Sequence, residues 1–114
     1  MKTQQNFSIV RGDDLTVQFT ILDEAGDPKV LTGASLRASF RDGLGVERIT
    51  RTSAVAAQIT KTNEGNGQVE MYFVPADTAA LAPGALDYDL EVTISGKTVT
   101  VASGRMTIIA DQTR

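Results

Sequence analysis

Period-two alternation of apolar and polar residues, repeated between closely spaced turn signals, most constrains what this chain can fold into. In Leu15-Thr-Val-Gln-Phe-Thr-Ile21, Leu15, Val17, Phe19 and Ile21 fall on one side while Thr16, Gln18 and Thr20 fall on the other. Successive side chains of a strand point to opposite faces of a sheet, so the segment reads as a strand with one face buried. Leu36, Ala38 and Phe40 alternate with Arg37, Ser39 and Arg41, and Val69, Met71 and Phe73 alternate with Glu70 and Tyr72. The longest run sets Leu86, Tyr88, Leu90, Val92 and Ile94 against Asp87, Asp89, Glu91 and Thr93. Antiparallel sheets with one wet face carry this signature. Shorter strands are expected at residues 6–11, 48–52, 55–61 and 106–110.

Turn residues separate these runs: Gly12-Asp13, Asp23 to Pro28, Asp42-Gly43, Asn63 to Gly67, Pro83-Gly84 and Gly96-Lys97. One helical fragment fits, Pro75 to Leu81, capped by Asp77 or Thr78 and ended by Pro83-Gly84. At 114 residues and 41% hydrophobic, the chain suits one domain, residues 1–114. The expected fold is all-β: an immunoglobulin-like antiparallel β-sandwich of about seven to eight strands with one short helical turn. Without Cys or Trp, its core must rest on burial of aliphatic and Phe side chains.

Register can be read for one hairpin. A type II′ turn at Gly96-Lys97 would set Ser95 opposite Thr98, Ile94 opposite Val99 and Val92 opposite Val101. Alternation then fails, and a bulge or bend at Ala102 to Gly104 would return Met106 and Ile108 to the core.

The absence of both His and Cys excludes imidazole and thiolate chemistry: Cys/His zinc sites, thiol nucleophiles and the Ser-His-Asp relay. Asp87, Asp89 and Glu91 lie along one strand face with no sign of a cleft, so no enzyme activity is expected, and no catalytic, cofactor or metal site is assigned. Arg11-Gly12-Asp13 spells an adhesion tripeptide but reads more simply as a turn, and the acidic loops at Asp13-Asp14 and Asp23 to Asp27 lack EF-hand spacing. A net charge of -3 offers no basic footprint for nucleic acid. The opening residues lack a signal-peptide core and no apolar stretch suits a bilayer, so a chain made in the cytoplasm, with no membrane partner, is expected. Small-molecule substrates are not implied either.

Charge is uneven along the chain. Residues 28–63 hold six Lys/Arg and two Asp/Glu, whereas residues 64–114 hold three and seven. Cross-strand pairs within a sheet account for part of this, Arg37 and Arg41 lying opposite Asp87, Asp89 or Glu91. Complementary patches that steer one subunit onto another account for it too. On that reading Arg37, Arg41, Arg48, Arg51, Asp87, Asp89 and Glu91 are outward-facing interface candidates. The polar ends, residues 1–6 and 111–114, would fray unless held by partners.

Phe7 to Ala34, F-S-I-V-R-G-D-D-L-T-V-Q-F-T-I-L-D-E-A-G-D-P…L-T-G-A, resembles the opening of small immunoglobulin-like modules in tailed-phage structural proteins, notably the N-terminal domain of baseplate upper proteins. Gly67 to Phe73, Pro75 to Gly84, Tyr88 to Val92 and Thr98 to Asp111, with Ala102-Ser-Gly104, resemble the later strands of such modules. The resemblance implies a virion component without catalytic residues, docking on tail, baseplate, neck or capsid, with other virion proteins or further copies of itself as partners. The alternative it leaves is a glycan- or receptor-binding module on a phage or bacterial surface.

Overall fold

The computed structural model describes residues 3–111, and the expectation for residues 1–2 and 112–114 lies outside them. Among the described residues nine strands form: β1 Thr3–Gln4, β2 Phe7–Val10, β3 Leu15–Thr20, β4 Ser35–Arg41, β5 Glu47–Thr52, β6 Ile59–Asn63, β7 Gln68–Phe73, β8 Gly84–Ile94 and β9 Lys97–Ile109. One sheet runs β1-β9-β8-β4-β5, with β2 continuing along the same β9 edge as β1; the other runs β3-β7-β6. The chain changes sheet at β2–β3, β3–β4, β5–β6 and β7–β8 and pairs β4–β5, β6–β7 and β8–β9 within a sheet, a two-sheet arrangement like that of immunoglobulin domains.

The sheets close over the apolar faces that alternation assigned. Val17, Phe19, Leu36, Ala38, Phe40, Val69, Met71, Phe73, Leu86, Tyr88, Leu90 and Val92 are all buried, while Leu15 and Ile94 at the margins are partly so. An aromatic cluster sits at the centre: Tyr88 stacks on Phe40 with ring centroids 5.1 Å apart, and Phe40 meets Phe73 edge-on at 5.6 Å. Such offset and edge-on contacts suit the ring quadrupoles and fix the two sheets in relative position.

The sandwich is not wholly antiparallel. β1 and β2 run parallel to β9, Thr3 beside Ala102 and Phe7 beside Met106. Between them the chain steps inward at Gln5. The Gln5 carbonyl accepts the Tyr88 hydroxyl at 2.5 Å, and a Cβ on Gly104 would overlap that carbonyl. Glycine at 104 is therefore what lets the N-terminal strand cross β9 so closely.

Three local expectations are corrected. The β8–β9 turn is centred on Ser95-Gly96, not Gly96-Lys97, and Val92 faces Val99 while Thr93 faces Thr98. Ser95 and Gly96 both have positive φ, 52° and 78°, as the type I′ turn that matches strand twist requires. The expected bulge is present but lies earlier: Leu90 faces Ala102 and Glu91 faces Thr100, which leaves Val101 as the extra residue. Val101 and Ala102 are consecutively buried, and Met106 and Ile108 return to the core. The third concerns residues 55–61, where Val55 is exposed in a turn and the strand begins only at Ile59.

The helix is a single turn, Pro75–Thr78, with Val74 at its N-cap instead of Asp77 or Thr78. Asp77 Oδ2 accepts the Val74 N–H at 2.7 Å, and the buried Thr78 hydroxyl accepts the Gly12 N–H at 2.9 Å.

Candidate protein-interaction face

The outward side of the larger sheet gathers most of the charged candidates. On β4 the outward residues after Ser35 are Arg37, Ser39 and Arg41. Opposite them on β8 lie Glu91, Asp89 and Asp87 respectively. On the far side of β8, Asp87 faces Arg105, Asp89 faces Ser103 and Glu91 faces Thr100. On the far side of β4, Arg41 faces Glu47, Ser39 faces Thr50 and Arg37 faces Thr52.

The charged part of the face is thus a grid of three rows, beyond which Ser35, Thr93 and Thr98 continue it without charge. The first reads Arg105, Asp87, Arg41, Glu47 from β9 to β5, alternating in sign. The second reads Ser103, Asp89, Ser39, Thr50. The third reads Thr100, Glu91, Arg37, Thr52. Arg37, Arg41, Asp87, Asp89 and Arg105 are exposed and Glu91 half-buried. Ser39 alone is buried, its hydroxyl bonded to a Glu47 carboxylate oxygen.

Some of these charges are engaged and some are not. Arg105 Nε lies 3.0 Å from Asp87 Oδ1, and Arg37 Nη2 lies 3.7 Å from Glu47 Oε2. Among the described residues, no ion pair within 4 Å engages Arg41, Asp89 or Glu91. Exposed pairs of this kind contribute little to stability, typically under about 1 kcal/mol, so the grid is not what holds the fold together.

Arg48 lies at the corner of the face, with Nε 2.9 Å from Asp42 Oδ2. It follows the shift in β4–β5 register, where Phe40 faces Ile49 but Arg41 faces Glu47. Asp42 also accepts the N–H groups of Leu44 and Val46, at 2.9 and 3.0 Å. The Val46 N–H and the Arg48 guanidinium hold its carboxyl below the usual aspartate range.

Arg51 is the correction. It was expected to face outward, yet it points between the sheets at 5% exposure. Ile49 and Arg51, two residues apart, share the inward side of β5, opposite Phe40 and Ala38. The guanidinium pairs with Asp77 and lies over the Phe73 ring. Sequence reasoning missed Glu47 and Arg105, whose places in the grid follow from the β4–β5 and β8–β9 bulges.

The loops are committed to local structure. Asp23 Oδ1 accepts the N–H groups of Ala25 and Asp27, and Arg11 pairs with Asp111 at 3.0 Å. Among the described residues, no group of three or more carboxylate, His or Cys side chains is placed to hold a metal ion. No helix there is long and apolar enough to cross a membrane.

A phage protein has this fold. The N-terminal domain of phage TP901-1 ORF48 matches with a TM-score of 0.52, covering 98% of this chain and 86% of that one at 12% identity. The likeness expected from strand pattern and turn residues is therefore met at the level of the fold. A family 123 glycoside hydrolase from Clostridium perfringens matches 96% of this chain but 23% of its own, at 11% identity and a TM-score of 0.38, too low to bear on this chain. No protein-family model and no curated protein sequence matches.

Proposed function

We propose that this chain is a non-enzymatic structural component of a phage particle, assembled onto tail, baseplate, neck or capsid through the charged face of its larger sheet. The observation that carries the reading is the shared fold with a phage domain over nearly the whole chain. The face supplies the means: a broad sheet surface, polar across its three rows, on which Arg41, Asp89 and Glu91 remain available to a partner. Charge arranged in this way sets register and association rate more than raw affinity, which suits a part that must seat in one orientation.

The test is incorporation. Reversing charge with R37E and R41E changes two exposed side chains and should leave the fold intact by circular dichroism and thermal melting. Particles assembled with the double variant should lack the chain, whereas incorporation at the wild-type level would remove this face from the proposal.

A second reading, a glycan-binding module, draws on one feature. A shallow depression of about 470 Å³ on the same face is lined by Gln4, Asn6, Asp87, Asp89, Ser103 and Arg105, all able to hydrogen-bond hydroxyls. It offers no stacking ring, since Tyr88 is buried beneath it. Binding on a glycan array, lost in D89A, would favour this reading over assembly.

A further inference from the structure

The three rows have a symmetry that bears on what the face can meet. Two copies packed face to face about a two-fold axis must place that axis in the interface plane. If it runs along the strands, midway between β4 and β8, rotation exchanges β4 with β8 and β5 with β9 while keeping each residue in its row.

The first row, Arg105, Asp87, Arg41, Glu47, then meets its own reverse. Arg105 faces the second copy's Glu47, Asp87 faces its Arg41, and the two remaining positions repeat these pairs. In the third row Glu91 faces Arg37 of the second copy, and Arg37 faces Glu91. The middle row brings Asp89 over Ser39, where the buried hydroxyl leaves a low surface. Six opposite-sign pairs are formed and no like-sign pair.

The other in-plane axis, perpendicular to the strands, keeps each strand over its own copy and reverses the rows. It puts Arg37 on Arg41 and Asp87 on Glu91, so charge repulsion rejects it. A pattern that favours one isologous packing and penalises its competitor carries both halves of specificity.

We infer that the face pairs with a second copy of this chain, each strand parallel to its own equivalent and antiparallel to the strand it faces. The inference deepens the assembly proposal and rests on it: the charged face is the docking surface, and its first partner is itself. Because the pairs are hydrated and flat, the dimer is weak and salt-sensitive, formed fully only at the high local concentration of a growing particle.

Sedimentation equilibrium tests it, with three proteins of verified fold: wild type, R37E/R41E and D87R/E91R. Wild type should dimerise at low salt. Its dissociation constant should rise at least about tenfold when salt shortens the Debye length to about 3 Å. Each variant alone should weaken self-association by at least about tenfold, by the like-charge cost of a mismatched face. An equal mixture of the two should form a heterodimer, because every reversed charge on one meets its reversed counterpart on the other.

A wild type that stays monomeric up to millimolar protein at low salt overturns the inference, as does a dimer indifferent to both variants. A monomer whose R37E/R41E form still fails to enter particles would leave the assembly proposal standing and assign the face to a different virion protein. A charge-sensitive dimer whose variants enter particles normally would do the reverse.

Discussion

Arg51 Nη2 lies 2.5 Å from Asp77 Oδ1, joining the edge strand β5 to the single-turn helix between β7 and β8. The guanidinium carbon stands 5.1 Å from the Phe73 ring centroid, and Arg51 Nε is buried without a hydrogen-bond partner. The two ends differ in exposure, the side chains being 6% and 21% accessible for Arg51 and Asp77.

The cost of breaking this pair should therefore be lopsided. Asp77→Asn leaves a buried, uncompensated guanidinium and is expected to destabilise by about 3 kcal/mol, while its amide oxygen can still accept the Val74 N–H. Arg51→Met leaves a carboxylate that water can reach and fills the site with an apolar chain, so it should cost well under half as much. Urea midpoints of the two variants decide the matter; an equal or reversed order would contradict this reading of the burial.

Burial pushes the Tyr88 hydroxyl up to about 12 from an ordinary 10. Below pH 10 both folded and unfolded chains keep the proton. Between 10 and about 12 the unfolded chain loses it while the folded chain does not, so stability falls as pH rises through that window. In Tyr88→Phe this alkaline loss should be smaller. The variant should also be about 1–3 kcal/mol less stable at neutral pH, because the Gln5 carbonyl loses its donor. Denaturation curves at pH 8 and 11 measure both effects.

Gly104→Ala should be among the most damaging small substitutions, since its Cβ overlaps backbone at Gln5. Relief requires the N-terminal strand to lift from β9, at a cost of about 2 kcal/mol or more. Gly43→Ala, where a Cβ meets nothing within 4 Å, is the control and should be nearly silent in a thermal melt.

The β4–β5 hairpin tip depends on one carboxylate. Because the folded Asp42 carboxyl is held below 3.8, its contribution is present above that pH and disappears as pH falls through the lower folded value. Asp42→Ala should speed amide exchange at Leu44 and Val46 at neutral pH, and wild type should approach the variant's rates only in strong acid. Unchanged exchange in the variant would mean that the turn holds itself.

Alternation made the core legible: Val17 to Ile21, Leu36 to Phe40, Val69 to Phe73 and Leu86 to Val92 each presented one apolar face, and each is buried as read. It also placed Arg37 and Arg41 on the same outward side as Asp87, Asp89 and Glu91, because both strands have unambiguous phase; the register, Arg37 beside Glu91 and Arg41 beside Asp87, does not follow from alternation. Phase was ambiguous elsewhere. Ser95-Gly96 and Gly96-Lys97 both make acceptable two-residue turns, and only Ser95 tolerating a positive φ separates them. Arg48 and Arg51, three residues apart, cannot both face outward from an unbulged strand. Reading both as surface followed from charge alone; the shared parity of Ile49 and Arg51 held the better signal. The parallel pairing of Phe7 with Met106 has no local signature, since the partners are distant in sequence and either direction satisfies the same alternation.

The most direct measurement of the central claim is immunogold labelling of purified particles from an induced culture of the organism that encodes this chain, with an antibody shown to bind the folded protein. A virion component predicts gold at a fixed position on tail, baseplate, neck or capsid. Well-formed particles without label, and without the chain when denatured and blotted, would contradict it.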